Sequence, residues 1–185
     1  MSSSPDKAYV VATPSPLFGD RFRFHAITVE AAVVAGVATY VTMAASLSIP
    51  AMFLGWTAYS VGGPRHRDGL THFLTMVLGI AFAIGTAFAM ALLGPVFGSA
   101  NTPICVAGVM VLVLCFRTFV PFNSPVAYFL GLTSFFYSGL APGWMSFAQL
   151  ASAGAIGALS SAVVTYLAVA IERQGNRSRR PDTGQ

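Results

Sequence analysis

The sequence predicts an all-α integral membrane protein whose six transmembrane helices form two inverted three-helix repeats with short central helices. The first observation is composition: of 185 residues, 55% are hydrophobic and 9% are charged, against roughly 25% charged in an ordinary soluble domain. The second is that apolar residues form long continuous blocks, and the third is that charged residues concentrate at the two ends and in one loop. Together they exclude a water-soluble enzyme.

The apolar blocks predict the spans in chain order. The long blocks are residues 27–47, 70–93, 103–120 and 147–171, and the short ones are residues 50–61 and 125–140. The long blocks are near the roughly 20 residues that cross about 30 Å of hydrocarbon. Each short block begins with a proline, which the first turn of a helix tolerates because no backbone donor is needed there.

These blocks divide the chain into a membrane domain and two tails. The six-helix domain comprises residues 27–171, with repeat halves of about 27–93 and 103–171. Residues 1–26 are predicted to be a cytoplasmic N-terminal tail. Residues 172–185 are polar and rich in arginine, which predicts a disordered, basic C-terminal tail.

The arginines favour membrane crossing by the two short blocks. If all six blocks span, the basic side chains of both tails, of Arg65 and Arg67, and of Arg117 fall on one face. The other three loops contain no charged residue and lie around Ser48, in residues 94–102 and in residues 141–146. The positive-inside rule then places both termini in the cytoplasm. If the short blocks were re-entrant instead, Arg65 and Arg67 would lie outside.

The two short blocks resemble each other. Residues 48–57 and 124–133 both contain a proline followed by Phe-Leu-Gly-x-Thr. The long blocks that follow them share ridges of small residues at every fourth position, namely Gly79, Ala83, Ala87 and Ala91 in one and Ala153, Gly157 and Ser161 in the other. Because each half has three spans, an odd number, the second half is expected to enter the membrane inverted, as in many channels and transporters. The alternative is a chance match within a small apolar alphabet.

The short blocks supply the predicted solute pathway. Short, glycine-containing helices are tolerated at membrane depth where protein or water surrounds them, so we expect the two to face each other at the centre. Hydroxyls there can offer donors and acceptors to an uncharged solute. The expected pathway residues are Gly55, Thr57, Tyr59, Gly131, Thr133 and Tyr137. The alternative for each hydroxyl is a hydrogen bond to its own helix or to a neighbouring one.

Three ionisable residues near the cytoplasmic helix ends are candidates for a gate or a charge pair. They are Glu30, His72 and Arg117, and a pair between Glu30 and Arg117 is one arrangement. Charge within a membrane is costly and is usually retained for a function. The alternative is that these long side chains reach the headgroup region without a specific role.

The sequence gives little support to catalysis or to cofactor binding. It contains no cysteine or histidine pairs at zinc spacing, no phosphate-binding glycine loop after a strand, and no pair of acids within a span. We therefore expect no enzyme activity, no metal, no cofactor and no nucleic-acid partner. An intramembrane enzyme that uses the three ionisable residues is the remote alternative.

Residues 50–63, with their Phe-Leu-Gly-x-Thr-Ala-Tyr run, and Phe119-Val120-Pro121 before the matching block resemble a known family. It is a group of small bacterial inner-membrane proteins classified as a domain of unknown function, DUF1097. The resemblance covers about residues 33–167. It implies a bacterial inner-membrane location and a six-helix body, and it brings no activity or site residues.

The expected function is that of a channel or facilitator for a small neutral or weakly polar solute across the cytoplasmic membrane. The alternative is a non-catalytic membrane scaffold or an accessory subunit of a larger complex, which would bind partners through the small-residue ridges. The expected partners are the lipid bilayer, a small-molecule solute and, as an open possibility, further copies of the chain.

Overall fold

The computed structural model describes residues 18–63, 65–116 and 118–177. Within these residues the chain is helical and contains no strand, which confirms the all-α class. The helices are α1 (Phe18–Ala44), α2 (Ile49–Val61), α3 (His66–Phe97), α4 (Asn101–Phe116), α5 (Pro125–Ser138) and α6 (Trp144–Arg177). A 3-10 turn, Gly98–Ala100, connects α3 to α4. Residues 1–17 and 178–185 of the predicted tails, Pro64 and Arg117 lie outside the described residues.

The helix boundaries differ from the apolar blocks in a systematic way. α3 begins at His66 and ends at Phe97, so it extends beyond the block of residues 70–93 at both ends. α1 and α6 also continue into the predicted tails. Hydropathy marks the part of a helix that lies in hydrocarbon, whereas the helix itself continues as long as its backbone hydrogen bonds do.

The short helices begin with caps that their sequences encode. Ser48 has extended backbone angles and its hydroxyl accepts a hydrogen bond from the Ala51 N–H at 3.4 Å, while Pro50 occupies the first turn of α2. α5 follows Ser124, which also has extended backbone angles but makes no side-chain capping hydrogen bond, and has Pro125 as its first residue. α5 ends at Ser138 and is followed by Gly139, whose φ of 64° is a left-handed conformation that glycine adopts without strain.

Among the described residues, three segments are long and apolar enough to cross a membrane: Ile27–Ala44, His66–Phe116, which contains both α3 and α4, and Trp144–Ala170. Their outer surfaces are apolar; for example, Tyr40, Leu92 and Leu159 are 73%, 78% and 69% exposed. A soluble protein does not expose large hydrophobic side chains on this scale. The chain is therefore a membrane protein.

The core lies among α2, α3, α5 and α6. Met52, Met76, Ile80, Tyr128 and Leu150 have no solvent-exposed surface and come from all four of these helices. α1 packs mainly on α6, and α4 packs mainly on α3. The two short helices thus lie at the centre of the bundle and contact each other, with α1 and α4 at its periphery.

Each short helix packs most extensively on the long helix of the other half of the sequence, α2 on α6 and α5 on α3. Glycine makes both crossings possible. A Cβ atom on Gly55 would overlap the backbone carbonyl of Gly154, and one on Gly157 would overlap the carbonyl of Met52. Such close approach gives van der Waals contact between backbones, which holds helices together in lipid.

The second crossing repeats the first in detail. A Cβ on Gly131 would overlap the carbonyl of Met76, and one on Gly79 would overlap the carbonyl of Tyr128. Tyr128 precedes Gly131 by three residues, as Met52 precedes Gly55 in α2. Met76 and Gly79 are likewise three apart, as are Gly154 and Gly157 in α6. The same contact pattern therefore occurs twice within one chain.

The crossings make a prediction about stability. Replacement of Gly131 by alanine, one methyl group, should lower the free energy of unfolding by about 1–3 kcal/mol because a rigid backbone blocks the methyl. Gly108→Ala is the matched control, because no atom lies within 4 Å of the added carbon; it should leave stability unchanged or raise it by about 0.5–1 kcal/mol. Unfolding in detergent followed by circular dichroism measures both. Equal effects of the two substitutions would contradict the assignment of Gly131 to a tight crossing.

Candidate functional site

The two predicted pathway glycines lie at the helix crossings. Gly55 and Gly131 are buried, and the space that a side chain would occupy is filled by the backbones of α6 and α3. Both glycines therefore bring helix backbones together and leave no room for a solute at these points.

The predicted pathway hydroxyls are separated from one another. Thr57 and Thr133 are exposed, and Tyr137 is 73% exposed. The Thr57 hydroxyl donates to the carbonyl of Phe53, one turn back in its own helix, at 2.9 Å. Among the four residues with a hydroxyl, Tyr59 alone is buried. The structure thus does not bring the six residues together around one space, and a pathway lined by all of them stays a prediction.

Tyr59 fastens the end of α2 to the start of α3. Its hydroxyl is hydrogen-bonded to Nδ1 of His66 at 2.8 Å. Its ring lies directly on Gly69, where a Cβ would be 2.8 Å from two ring carbons. Gly62 meets the backbone of Asp68 and Gly69 just as closely. In the sequence, His66 lies in a short polar stretch between two apolar blocks, and its partner Tyr59 is identified only when the turn between the helices is known.

No hydrogen bond or ion pair among the described residues joins the gate candidates to one another. Glu30 lies on α1, and its Oε1 is buried without a hydrogen-bond partner among the described residues. His72 is half-buried and its Nδ1 is 2.9 Å from the carbonyl of Asp68, in its own helix. Arg117 lies outside the described residues. The pair between Glu30 and Arg117 therefore stays a prediction.

Most other hydroxyls in the helices bond to their own helix. Thr42, Thr75 and Thr86 each donate to the carbonyl four residues earlier at 2.7–2.8 Å. One hydroxyl pair joins two helices, since Ser60 of α2 lies 2.8 Å from the hydroxyl of Ser161 in α6. A hydrogen bond to the carbonyl one turn earlier in the same helix satisfies a hydroxyl where no water is available. We therefore assign these threonines a structural role.

The described residues contain no group of three potential metal ligands. Cys105 is buried and Cys115 is exposed, and neither forms a disulfide. The Cys105 thiol lies 3.5 Å from the amide oxygen of Asn101, whose nitrogen donates to the carbonyl of Met90 at 2.7 Å. Asn101 thereby ties the start of α4 to α3, which is a structural role.

Two cavities differ in their chemistry. The larger, of about 420 Å³, lies between α3 and α4 and is lined by Gly85, Gly108, Leu112 and other mainly apolar residues. The smaller, of about 240 Å³, lies where α2 begins and α5 ends, and we call it the polar cavity. Four of its seven lining residues have polar side chains: Ser46, Ser48, Ser138 and Gln149.

Sequence analysis missed Gln149. A signal was present, because Gln149 is the only carboxamide in the apolar block of residues 147–171. The predicted pathway residues all came from the two short blocks, which do not contain Gln149. The structure brings Gln149 of α6 to the same space as Ser48 at the start of α2 and Ser138 at the end of α5.

The contact between Tyr59 and His66 makes a second prediction. Tyr59→Phe removes the hydroxyl and leaves the ring, so the free energy of unfolding should fall by about 0.5–1.5 kcal/mol. In a double-mutant cycle, His66→Ala should lower the free energy of unfolding less in the Tyr59→Phe protein than in the wild type. Tyr137→Phe is the control, because that hydroxyl group is on an exposed residue and should not affect stability. Additive effects of Tyr59→Phe and His66→Ala would contradict a contribution from this hydrogen bond.

Comparison with known proteins identifies a family and nothing further. Residues 28–167, about three quarters of the chain, match the family model described as protein of unknown function, DUF1097. No curated protein and no solved structure matches the chain. The resemblance carried by residues 50–63 and by Phe119-Val120-Pro121 is thus confirmed, and the chain belongs to the DUF1097 family.

Proposed function

We propose that the chain is a multi-pass protein of the bacterial inner membrane that carries a small neutral or weakly polar solute across it. The observation that supports this most is the repeated crossing, in which Gly55 and Gly157 join α2 to α6 and Gly131 and Gly79 join α5 to α3. Internal repeats of inverted topology are a common architecture of secondary transporters.

The repeated crossing supports an inverted repeat. α1, α2 and α3 correspond in order to α4, α5 and α6, and the contacts of one half recur in the other: α1 on α6 corresponds to α4 on α3. A rotation that exchanges two halves of three spans each reverses their direction through the membrane, because three is odd. The two short helices then lie beside the rotation axis, where they contact each other.

Six spans are supported by the charges, although α2 and α5 are short. Their 13 and 14 residues extend about 20 Å, which is less than the hydrocarbon thickness of about 30 Å. One face of each short helix packs on neighbouring helices while the other face is exposed, so lipid meets only part of each short helix. Six spans also place Arg65 and Arg67 on the cytoplasmic face with both termini.

The polar groups of the core favour an uncharged solute. The buried polar side chains among the described core helices are hydroxyls, including Thr75, Ser134 and Ser161. Hydroxyls replace the hydrogen bonds that a neutral solute makes with water, but they do not compensate the desolvation of an ion. Met52, Tyr128 and Ile80 fill the centre, so passage requires α2 and α5 to separate, and the described conformation is a closed one.

A membrane scaffold or accessory subunit is the second candidate, and the larger cavity favours it. The groove of about 420 Å³ between α3 and α4 is apolar and contains Gly85 and Gly108, where a Cβ would meet no atom within 4 Å. An open groove with small residues admits another helix, either of a second copy of the chain or of a partner protein.

Topology supplies the third prediction. Reporter fusions at Arg67 and Ser99 should report opposite faces: a cytoplasmic reporter should be active at Arg67, and a periplasmic one at Ser99. The reason is that the arginine-containing loop follows α2, and the turn containing Ser99 lies at the far end of α3. Periplasmic activity at Arg67 would contradict six spans and with them the inverted repeat.

Transport supplies the fourth prediction. Purified protein in sealed liposomes should accelerate the flux of at least one solute in a panel of urea, acetamide, glycerol, erythritol and weak acids relative to protein-free liposomes. Chloride and sodium fluxes in the same vesicles should remain at background and serve as the control for leaks. Background flux for the whole panel, together with co-purification of a stoichiometric protein partner in mild detergent, would replace this proposal by the scaffold.

A further inference from the structure

We infer that the polar cavity is the solute-recognition site, and that Gln149 of α6 is its principal hydrogen-bonding residue. This inference rests on the proposed function and names the site and the substrate class. The substrate class is a small uncharged molecule with both hydrogen-bond donors and acceptors, such as an amide or a short polyol.

The first argument is position. The cavity lies among the loop before α2, the end of α5 and the second turn of α6. Both short helices therefore reach it, one by its start and the other by its end. Leu150, which has no exposed surface, forms part of its wall on the side of the core. A solute bound there would touch the helices that must separate for passage.

The second argument is that Gln149 and Ser46 have uncommitted polar groups. Ser48 caps α2 through Ala51, and Ser138 donates to the carbonyl of Phe135 at 2.7 Å while accepting from the Leu140 N–H at 3.2 Å. Within the described part of the chain, no hydrogen bond engages the side chains of Gln149 or Ser46. The side chains of Gln149 and Ser46 are therefore available to a solute in the cavity, whereas the buried hydroxyls of Tyr128 and Ser134, which also lack partners among the described residues, do not line it.

The third argument is the chemistry of the lining. A carboxamide has two donors and an acceptor with two lone pairs, and a hydroxyl has one donor and two lone pairs. None of the seven lining residues is ionisable. This lining can exchange hydrogen bonds with a neutral amide or polyol, and it offers no charge to compensate an ion. The volume of about 240 Å³ suits a small molecule.

The position equivalent to Gln149 in the other half is occupied differently. Gly154 and Gly157 occupy in one crossing the positions that Met76 and Gly79 occupy in the other. Gln149 lies five residues before Gly154, so it corresponds to Thr71, five residues before Met76 in α3. The Thr71 hydroxyl donates to the carbonyl of Arg67 at 2.9 Å and is thus committed to its own helix. The site is therefore a feature of one membrane face and is not a consequence of the repeat.

The first experiment measures access of water to the cavity. In a protein with Cys105→Ala and Cys115→Ala, Gln149→Cys should react with a membrane-impermeant thiol reagent. The reagent is added on the membrane face of the loops without charged residues, which is the face opposite Arg65 and Arg67. Ser152→Cys is the matched control, because Ser152 is exposed one turn further along α6 and lies outside the cavity. It should not react, since a thiol in lipid does not ionise. Saturating acetamide or glycerol should slow the reaction at residue 149. An unreactive Gln149→Cys in a folded protein would overturn the inference.

The second experiment measures flux in liposomes with intact cysteines. Gln149→Leu keeps the size of the side chain and removes its hydrogen bonds, so the flux of the transported solute should fall about three- to tenfold. Ser152→Ala should leave flux unchanged. Wild-type flux in Gln149→Leu would overturn the inference while the proposed function stands. If wild-type protein shows no flux but acetamide or glycerol protects residue 149, the proposed function fails and the binding site remains.

Discussion

Close approach of helix backbones at two glycine crossings is the constraint on which the rest of this structure depends. In lipid there is no hydrophobic force to drive one apolar helix against another, so association depends on van der Waals contact and on how closely backbones approach. At Gly55 and Gly157 in one crossing, and at Gly131 and Gly79 in the other, carbonyl groups occupy the space of a side chain. The short helices are held at the centre by these contacts, which bury one face of each.

The same constraint explains how the sequence motif relates to the core. An α-helix turns about 100° per residue, so the threonine two positions after the glycine in Phe-Leu-Gly-x-Thr lies about 200° around the helix. When Gly55 and Gly131 face a neighbouring helix, Thr57 and Thr133 must face away, and both are exposed. Tyr59, four residues after Gly55, returns to the glycine side and is buried. The motif is therefore primarily a packing motif.

The helical class and the four core helices could be predicted from the sequence because hydropathy and proline placement encode them locally. The ends of the helices could not be, as α4 shows: the apolar block continues to Val120, but the helix ends at Phe116, and Val120 is 82% exposed. The predicted site residues rested on a motif whose partners were unknown. Gln149 stands out in its apolar block as a lone carboxamide. The residues beside it, like the partner of His66, are distant in sequence or beyond a turn, and hydropathy contains no information about such contacts.

The glycine crossings and the polar cavity have opposite properties, and they lie at different positions along the short helices. At the crossings, close backbone contact excludes any solute, and Met52 and Tyr128 fill the remaining space. Beyond the crossings, the start of α2 and the end of α5 lie beside Gln149, where polar side chains replace apolar ones. At the opposite ends, Tyr59 and His66 join α2 to α3. On our proposal, a solute held at the polar cavity would thus contact the start of α2, which is the end away from the hydrogen bond between Tyr59 and His66.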